Sequence, residues 1–475
     1  MKKIISLVLA LLMLLPALPL TALADIVTST DGDWMYNVIY EENQTKFAEL
    51  TAYKGLETSF ALPTEVDGCK IVGVNGKLLT GEDVSYDVII PEGIEYITNK
   101  AFYNVTLKIS LPSTLRFIGE NAFAQAKIEG ITFPEHLEGI GESAFTSAKF
   151  ENTDIVLPDN MMYLDVAFKG SNITSVSIGS KTQICGTYFS FPAGISEYSS
   201  TEAEENYNPF SNCKALRTVT VSKGNPNLSV TDNVLYNDDG RIMVKACGKR
   251  ETFTVPDSVK VICKGAFDNT EFDEFQFGKS IKTIRGGQFK GYHFKKLVFP
   301  QDCTLKVIEN IAFQNAVIDK MTAFPSSLSV IEKNAFLGAT LPAVEFEQNS
   351  MLTEIGDDAF KNSVLEYADF SNCHYLYRSL DGTFEGSTIK NVNLSNTYVE
   401  SLGDTFNYCT FLTDVILPET VTELRTAFAD CENIQSINLD NVETIYESNF
   451  GIRYNDVVNG NIKTAVSQGV QEGYA

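Results

Sequence analysis

Apolar and polar positions along this chain follow one pattern that restarts about every 22 residues. It opens on an apolar–x–apolar run, often closed by proline: Ile109-Ser110-Leu111-Pro112, Ile131-Thr132-Phe133-Pro134, Ile155-Val156-Leu157-Pro158, Leu297-Val298-Phe299-Pro300 and Val415-Ile416-Leu417-Pro418. Such alternation predicts a short strand with its flanking residues facing in and its central residue facing out. Proline stops the strand because it has no ladder donor. An apolar pair comes next, as in Leu115 with Ile118, Leu137 with Ile140, Val259 with Ile262, Leu305 with Ile308 and Leu328 with Ile331. A small residue and a phenylalanine follow, which the pattern places on a short helical or 3-10 turn.

The phenylalanines mark the period. They are Phe102, Phe123, Phe145, Phe168, Phe210, Phe267, Phe289, Phe313, Phe336, Phe360, Phe384, Phe406, Phe428 and Phe450. A fixed period of this length means a solenoid, in which each unit buries its apolar face only against its neighbours. About fifteen such turns at the strand spacing give a body on the order of 70 Å long. The Phe side chains are expected to form an internal ladder, each ring contributing ~1.5–3 kcal/mol by burial, with the preceding small residue leaving room for the next ring.

The period breaks in four places. Residues 25–55 alternate around Trp34, Tyr36, Val38 and Tyr40, which predicts a β-hairpin cap over the first repeat, with Trp34 a cap residue. About 190–209, Glu197, Glu202, Glu204 and Glu205 lie among Ser, Tyr and Asn, an acidic loop that reads first as a tolerated insertion and second as a partner contact. About 222–250, alternating runs Val230–Tyr236 and Arg241–Ala246 flank Asn237-Asp238-Asp239-Gly240, which predicts an inserted β-hairpin. Its aspartates lack the ligand spacing of an EF-hand, so calcium is not expected there. Residues 457–475 carry no Ala-Phe and read as a tail or a frayed last turn.

The repeat text resembles the BspA-like, treponemal-type, bacterial leucine-rich repeats. The matching phrase is LxxIxLP followed by LxxIGxxAFxxC, nearly whole at Ile128–Phe145 and Leu412–Cys431. The resemblance covers roughly residues 56–456. It implies an α/β repeat fold: a right-handed solenoid with a concave parallel sheet and short helical turns on the other side. It also implies an exported or surface protein, adhesin-like in several members.

Composition adds a compartment and removes some partners. Lys2 and Lys3, the apolar run Ile4–Leu15 and Ala22-Leu23-Ala24 before Asp25 read as a signal peptide over residues 1–24. The apolar run is too short for a membrane span. No cysteine follows for lipid attachment and no LPxTG sequence lies near the C-terminus, so a secreted chain, or one held non-covalently at the cell surface, is expected. The formal net charge is −24, which argues against nucleic acid and anionic membranes as partners. Nine cysteines leave at least one unpaired. Cys213, Cys409 and Cys431 each follow a repeat Phe by three residues and read as buried fillers, and a Cys409–Cys431 disulfide is geometrically conceivable.

No chemistry stands out. His136, His293 and His374 lie in different repeats, and there is no CxxC pair, HExxH, phosphate loop or nucleophile elbow. No catalytic residue, metal site or cofactor is therefore expected. The natural binding surface is the outward row of strand centres on the concave face, including Thr132, Thr220, Thr254, Gln276, Glu345, Asp369, Asn393 and Asn438. Its expected ligand is an extracellular protein or glycan. Tyr367, Tyr375 and Tyr377 near Arg378 form an aromatic patch, for which packing in the core or a corner is favoured over an anchor. The rival readings are a structural surface spacer without a ligand and, last, a secreted hydrolase.

Overall fold

The computed structural model describes residues 26–40, 46–81, 83–184, 188–190, 196–198, 207–237, 239–378, 380–446, 463–466 and 471–473. The leader at 1–24, most of the acidic loop, Asp238, Phe450 and most of 457–475 lie outside the described residues. Contacts divide the chain into two compact units. One holds residues up to 202 with 213–215 and 221–226, and the other holds 203–212, 216–220 and 227–475.

The first unit opens with antiparallel strands Ile26–Thr28, Trp34–Tyr40 and Lys46–Tyr53. Lys46–Tyr53 then pairs parallel with Cys69–Asn75, and the ladder continues through Tyr96–Thr98, Phe117–Ile118, Gly139–Ile140, Tyr163–Leu164 and Gln183–Ile184. A second parallel ladder runs through Ser59–Ala61, Ser85–Ile89, Thr106–Ser110, Lys127–Glu129 and Lys149–Phe150. Trp34 is buried, its ring 4.8 Å from Tyr53 and 5.9 Å from Phe60.

The second unit has the same two-ladder plan. One ladder passes through Lys249–Thr254, Glu271–Gln276 and Lys296–Val298, and another through Val344–Glu345, Tyr367–Asp369, Asn391–Asn393, Asp414–Ile416, Ser436–Leu439 and Lys463–Val466. The partner ladder includes Thr283–Ile284, Val307–Ile308, Val330–Ile331 and Glu354–Ile355. Both units are thus solenoids of stacked parallel strands. Between the two strands of a rung, proline opens a tight turn: Leu328 N–H donates to Pro325 O at 3.0 Å and Val259 N–H to Pro256 O at 3.0 Å.

The Ala-Phe segments are not helical. Among the described residues no helix of either kind forms. The reason is a left-handed residue after each described phenylalanine of the period and, for most of them, another before it. Asn121 and Gln125 bracket Phe123 at φ 55° and 62°, Asn334 and Gly338 bracket Phe336 at 58° and 66°, and Asp358 and Asn362 bracket Phe360 at 57° and 56°. A left-handed residue cannot continue a right-handed helix. Instead the turn bonds across rungs: Phe123 N–H donates to Ala144 O at 2.8 Å, Phe313 N–H to Ala335 O at 2.8 Å and Phe336 N–H to Ala359 O at 2.7 Å.

The phenylalanine rings stack in columns inside each unit. Phe102, Phe123, Phe145 and Phe168 succeed one another at centroid distances of 5.1, 5.2 and 5.2 Å. In the second unit Phe267, Phe289, Phe313, Phe336, Phe360, Phe384, Phe406 and Phe428 do so at 4.9–5.8 Å. Phe210 is fully buried in that unit. A further aromatic row, absent from the sequence reading, follows the strand ends: Phe277, Phe299, Phe324, Phe346 and Phe370, at 5.1–5.7 Å.

Two local expectations change. Residues Val230–Tyr236 are not one strand: Leu228–Thr231 and Val234–Asn237 turn back on each other at Asp232 and Asn233, whose φ values are 49° and 59°. Ile242–Ala246 then pairs antiparallel with Val234–Asn237, making a three-stranded meander. Thr132 is exposed but lies outside any strand, because Gly130 at φ 72° bends the chain after Lys127–Glu129.

Candidate binding surface

The outward strand positions of the second unit fall in register. Glu345 lies opposite Asp369, Asp369 opposite Asn393 and Asn393 opposite Ile416. Asn438 occupies the same place on Ser436–Leu439. Three of these side chains are already engaged with backbone. Asp369 Oδ1 accepts from Ser371 N–H at 2.9 Å, Asn393 Oδ1 from Ser395 N–H at 3.0 Å, and Asn438 both accepts from and donates to the Leu417 peptide. Asp369 and Asn393 close the turns after their strands, Asn438 ties its strand to the preceding rung, and all three are half-buried. Glu345 and Ile416 are the exposed members. The Tyr367 hydroxyl donates to Glu345 Oε1, and that bond, with partial burial, pushes the Tyr367 phenol up to about 12.

The other sequence candidates are scattered. Thr254 and Gln276 are opposite one another, with Thr254 exposed and Gln276 half-buried. Thr220 is exposed on Thr218–Val221, and Thr132 belongs to the first unit.

The aromatic patch is neither core nor a packed corner. Tyr375 and Tyr377 are 59% and 56% exposed, while Tyr367 is half-buried in the strand row. Tyr398, 62% exposed, joins them, because its N–H donates to Leu376 O at 2.8 Å and so sets it on the neighbouring rung. The sequence signal for Tyr398 was available, since it stands one period beyond Leu376. The Arg378 guanidinium lies 5.9 Å from the Tyr377 ring centre and its Nε 3.7 Å from Glu354.

An open cleft of about 450 Å³ is lined by Lys249, Arg250, Glu271, Asp273, Tyr292 and His293 among others. Its charges are matched. Lys249 Nζ is 3.0 Å from Glu271 and Lys295 Nζ is 2.8 Å from Asp273, while His293 Nε2 is 3.1 Å from Asp319. The hydrogen bond from Lys295 holds the Asp273 carboxyl below its ordinary value, and that to Glu271 raises the Lys249 ammonium. His136 and His374 are exposed, the latter with Nδ1 3.2 Å from Asn396 O. Among the described residues no group of three His, Cys, Asp or Glu could hold a metal ion.

The described cysteines are separate buried thiols, Cys409 and Cys431 included. They do more than fill space. Cys409 Sγ donates to Phe384 O at 3.0 Å and Cys431 Sγ to Phe406 O at 2.9 Å, so each serves the carbonyl of the preceding rung's phenylalanine. Thr270 does the same for Ala246 O at 2.8 Å. Burial pushes the Cys409 thiol up to about 11 and the Cys373 thiol to about 12.

Solved structures of several bacterial proteins are similar to this chain. The pneumococcal vaccine antigen PcpA is 15% identical, with 96% of this chain and 100% of that one covered, at a TM-score of 0.48. A leucine-rich repeat protein from Eubacterium ventriosum is 17% identical, with 89% and 92% covered, at 0.41. A leucine rich cell surface protein from Faecalibacterium prausnitzii is 19% identical, with 88% and 95% covered, at 0.36. No curated protein matches the chain. Six copies of the BspA type leucine rich repeat region match, over residues 84–193, 242–366 and 344–455. With that text over most of its length, and with the stacked two-strand rungs described above, the chain belongs to the BspA type leucine-rich repeat family.

Proposed function

We propose that the chain is exported, by the leader read at 1–24, and acts outside the cell as a non-catalytic binding protein, adhesin-like, for a protein or glycan ligand. The observation that carries this reading is the exposed aromatic set Tyr375, Tyr377 and Tyr398, with Glu345 and Ile416 exposed on the strand row of the same unit. Exposed tyrosines next to an arginine are the residue types that dominate binding hot spots. Each offers a rigid apolar face and a polar tip at small entropic cost. The matched charges of the cleft favour a scaffold over a catalyst, because catalytic carboxylates need environments that separate their pKa values. The family supports the same reading, since stacked repeats offer long surfaces and few enclosed pockets.

The test is binding of the purified chain, lacking residues 1–24, to extracellular matrix and to cell surfaces. Saturable, dose-dependent binding that falls at least tenfold in Tyr375→Ala/Tyr377→Ala/Tyr398→Ala is the expected result. Binding that rises linearly without saturation would favour the spacer reading.

A further inference from the structure

One surface row carries cations on three successive rungs, Lys260, Lys282 and Lys306, with a fourth, Arg241, before them. Several charged positions in this chain meet the opposite sign on a neighbouring rung, as like charges directly opposite each other destabilise. Arg116, seven residues before Phe123, lies between Glu95 at 3.6 Å and Glu138 at 2.6 Å. Arg285 meets Glu309 at 2.9 Å and Lys361 meets Glu385 at 2.8 Å.

In the second unit the place that Arg116 holds in the first is filled by cations on successive rungs. Lys260, Lys282 and Lys306 stand seven residues before Phe267, Phe289 and Phe313, whose rings stack at 5.3 Å. Arg241 precedes them, with Lys260 N–H donating to its carbonyl at 2.8 Å, and Lys306 N–H donates to Lys282 O at 2.8 Å. All four side chains are exposed, and among the described residues Lys260, Lys282 and Lys306 make no ion pair. The local charge agrees: residues 241–300 hold twelve Lys or Arg and six Asp or Glu, in a chain of net charge −24.

The row does not end with the cations. Ser329 N–H donates to Lys306 O at 2.9 Å and Thr353 N–H to Ser329 O at 2.9 Å, and the same place on the following rung is the exposed Tyr377. Seven rungs therefore align four cations, two half-buried hydroxyls that donate to the carbonyls of Lys306 and Ser329, and one aromatic face, over a track of roughly 30 Å at the strand spacing.

We infer that this row binds a linear acidic polysaccharide lying along the rungs, its sulfate or carboxylate groups on Arg241, Lys260, Lys282 and Lys306 and its sugar rings over Ser329, Thr353 and Tyr377. The inference rests on the binding role proposed above and names its ligand class. Point cations at regular intervals suit a polymer with regularly spaced anions. Hydroxyls and a tyrosine beyond them suit sugar rings better than a phosphate backbone.

Heparin serves as the probe, immobilised and titrated with the chain lacking residues 1–24 over a range of salt concentrations. The expected result is saturable binding that weakens with salt, falls at least tenfold in Lys260→Gln/Lys282→Gln/Lys306→Gln, and is unchanged in Lys108→Gln/Lys127→Gln/Lys149→Gln, which alters net charge equally in the first unit. Tyr377→Ala weakens binding with no change in salt dependence. Equal loss in both lysine triples, or competition by duplex DNA as effective as by free heparin, overturns the inference. No heparin binding by a chain that still binds matrix or cells overturns the inference and leaves the broader binding role standing.

Discussion

At the scale of single residues, the fold rests on one ring and the two residues that bend the chain around it. Phe313 is fully buried with neighbouring rings at 5.3 and 5.0 Å. Phe313→Ala is expected to cost ~3–5 kcal/mol in urea denaturation, whereas the exposed Thr254→Ala stays within ~0.5 kcal/mol. Similar small losses at both would mean that the ring column carries little of the stability. Asn315, two residues after Phe313, sits at φ 55°. Asn315→Gly should be nearly neutral, and Asn315→Val should cost ~1–2 kcal/mol, since a β-branched residue resists the left-handed region. The buried Cys409, with its thiol pushed up to about 11, should not react with a thiol reagent at pH 8 until urea opens the rung.

At the scale of elements, legibility divided along a physical line. The strand places, the inward apolar positions and the phenylalanine period were readable because burial repeats with the rung. The turn conformation was misread, although its signal stood in the text: Asn104, Asn269, Asn315 and Asn362 each follow a repeat Phe by two residues, and asparagine is a common left-handed residue. Hydrophobic patterning does not report the sign of φ. The row Arg241, Lys260, Lys282 and Lys306 was legible as charge but not as a line, because its alignment depends on rung register. Equally hidden was Glu49 on Lys46–Tyr53, only 1% exposed, which accepts from the Tyr96 hydroxyl and from Asn75 Nδ2. Burial raises its carboxyl above the ordinary value, against the opposing pull of those bonds. The folded form therefore holds its proton more tightly than the unfolded one, and stability falls as pH rises from the usual carboxylate range through the raised value. Melting temperature should drop over that interval in the wild type and drop less in Glu49→Gln. Equal slopes would place Glu49 outside the pH response.

At the scale of the whole molecule, stacked repeats touch only their neighbours, so unfolding need not be all-or-none. Trp34 is the single tryptophan and sits in the first antiparallel strands. Its fluorescence in urea should trace a transition displaced from that of far-ultraviolet circular dichroism, which averages all rungs. Superimposed curves would mean that the chain melts as one cooperative body. The cross-rung bonds of the Ala-Phe turns carry a further consequence. Bends on a protein surface are ordinarily where a protease takes hold, since their backbone can be drawn out to fit the enzyme's cleft. Here the peptide groups of a bend are tied to the rungs before and after, as at Phe313, where Phe289 N–H donates to Ala312 O and Phe313 N–H donates to Ala335 O. Within residues 228–428, digestion should begin at Asp239-Gly240, the tip of the inserted meander, and leave the repeat turns uncut, so that resistance to proteases follows from how the bends are laced.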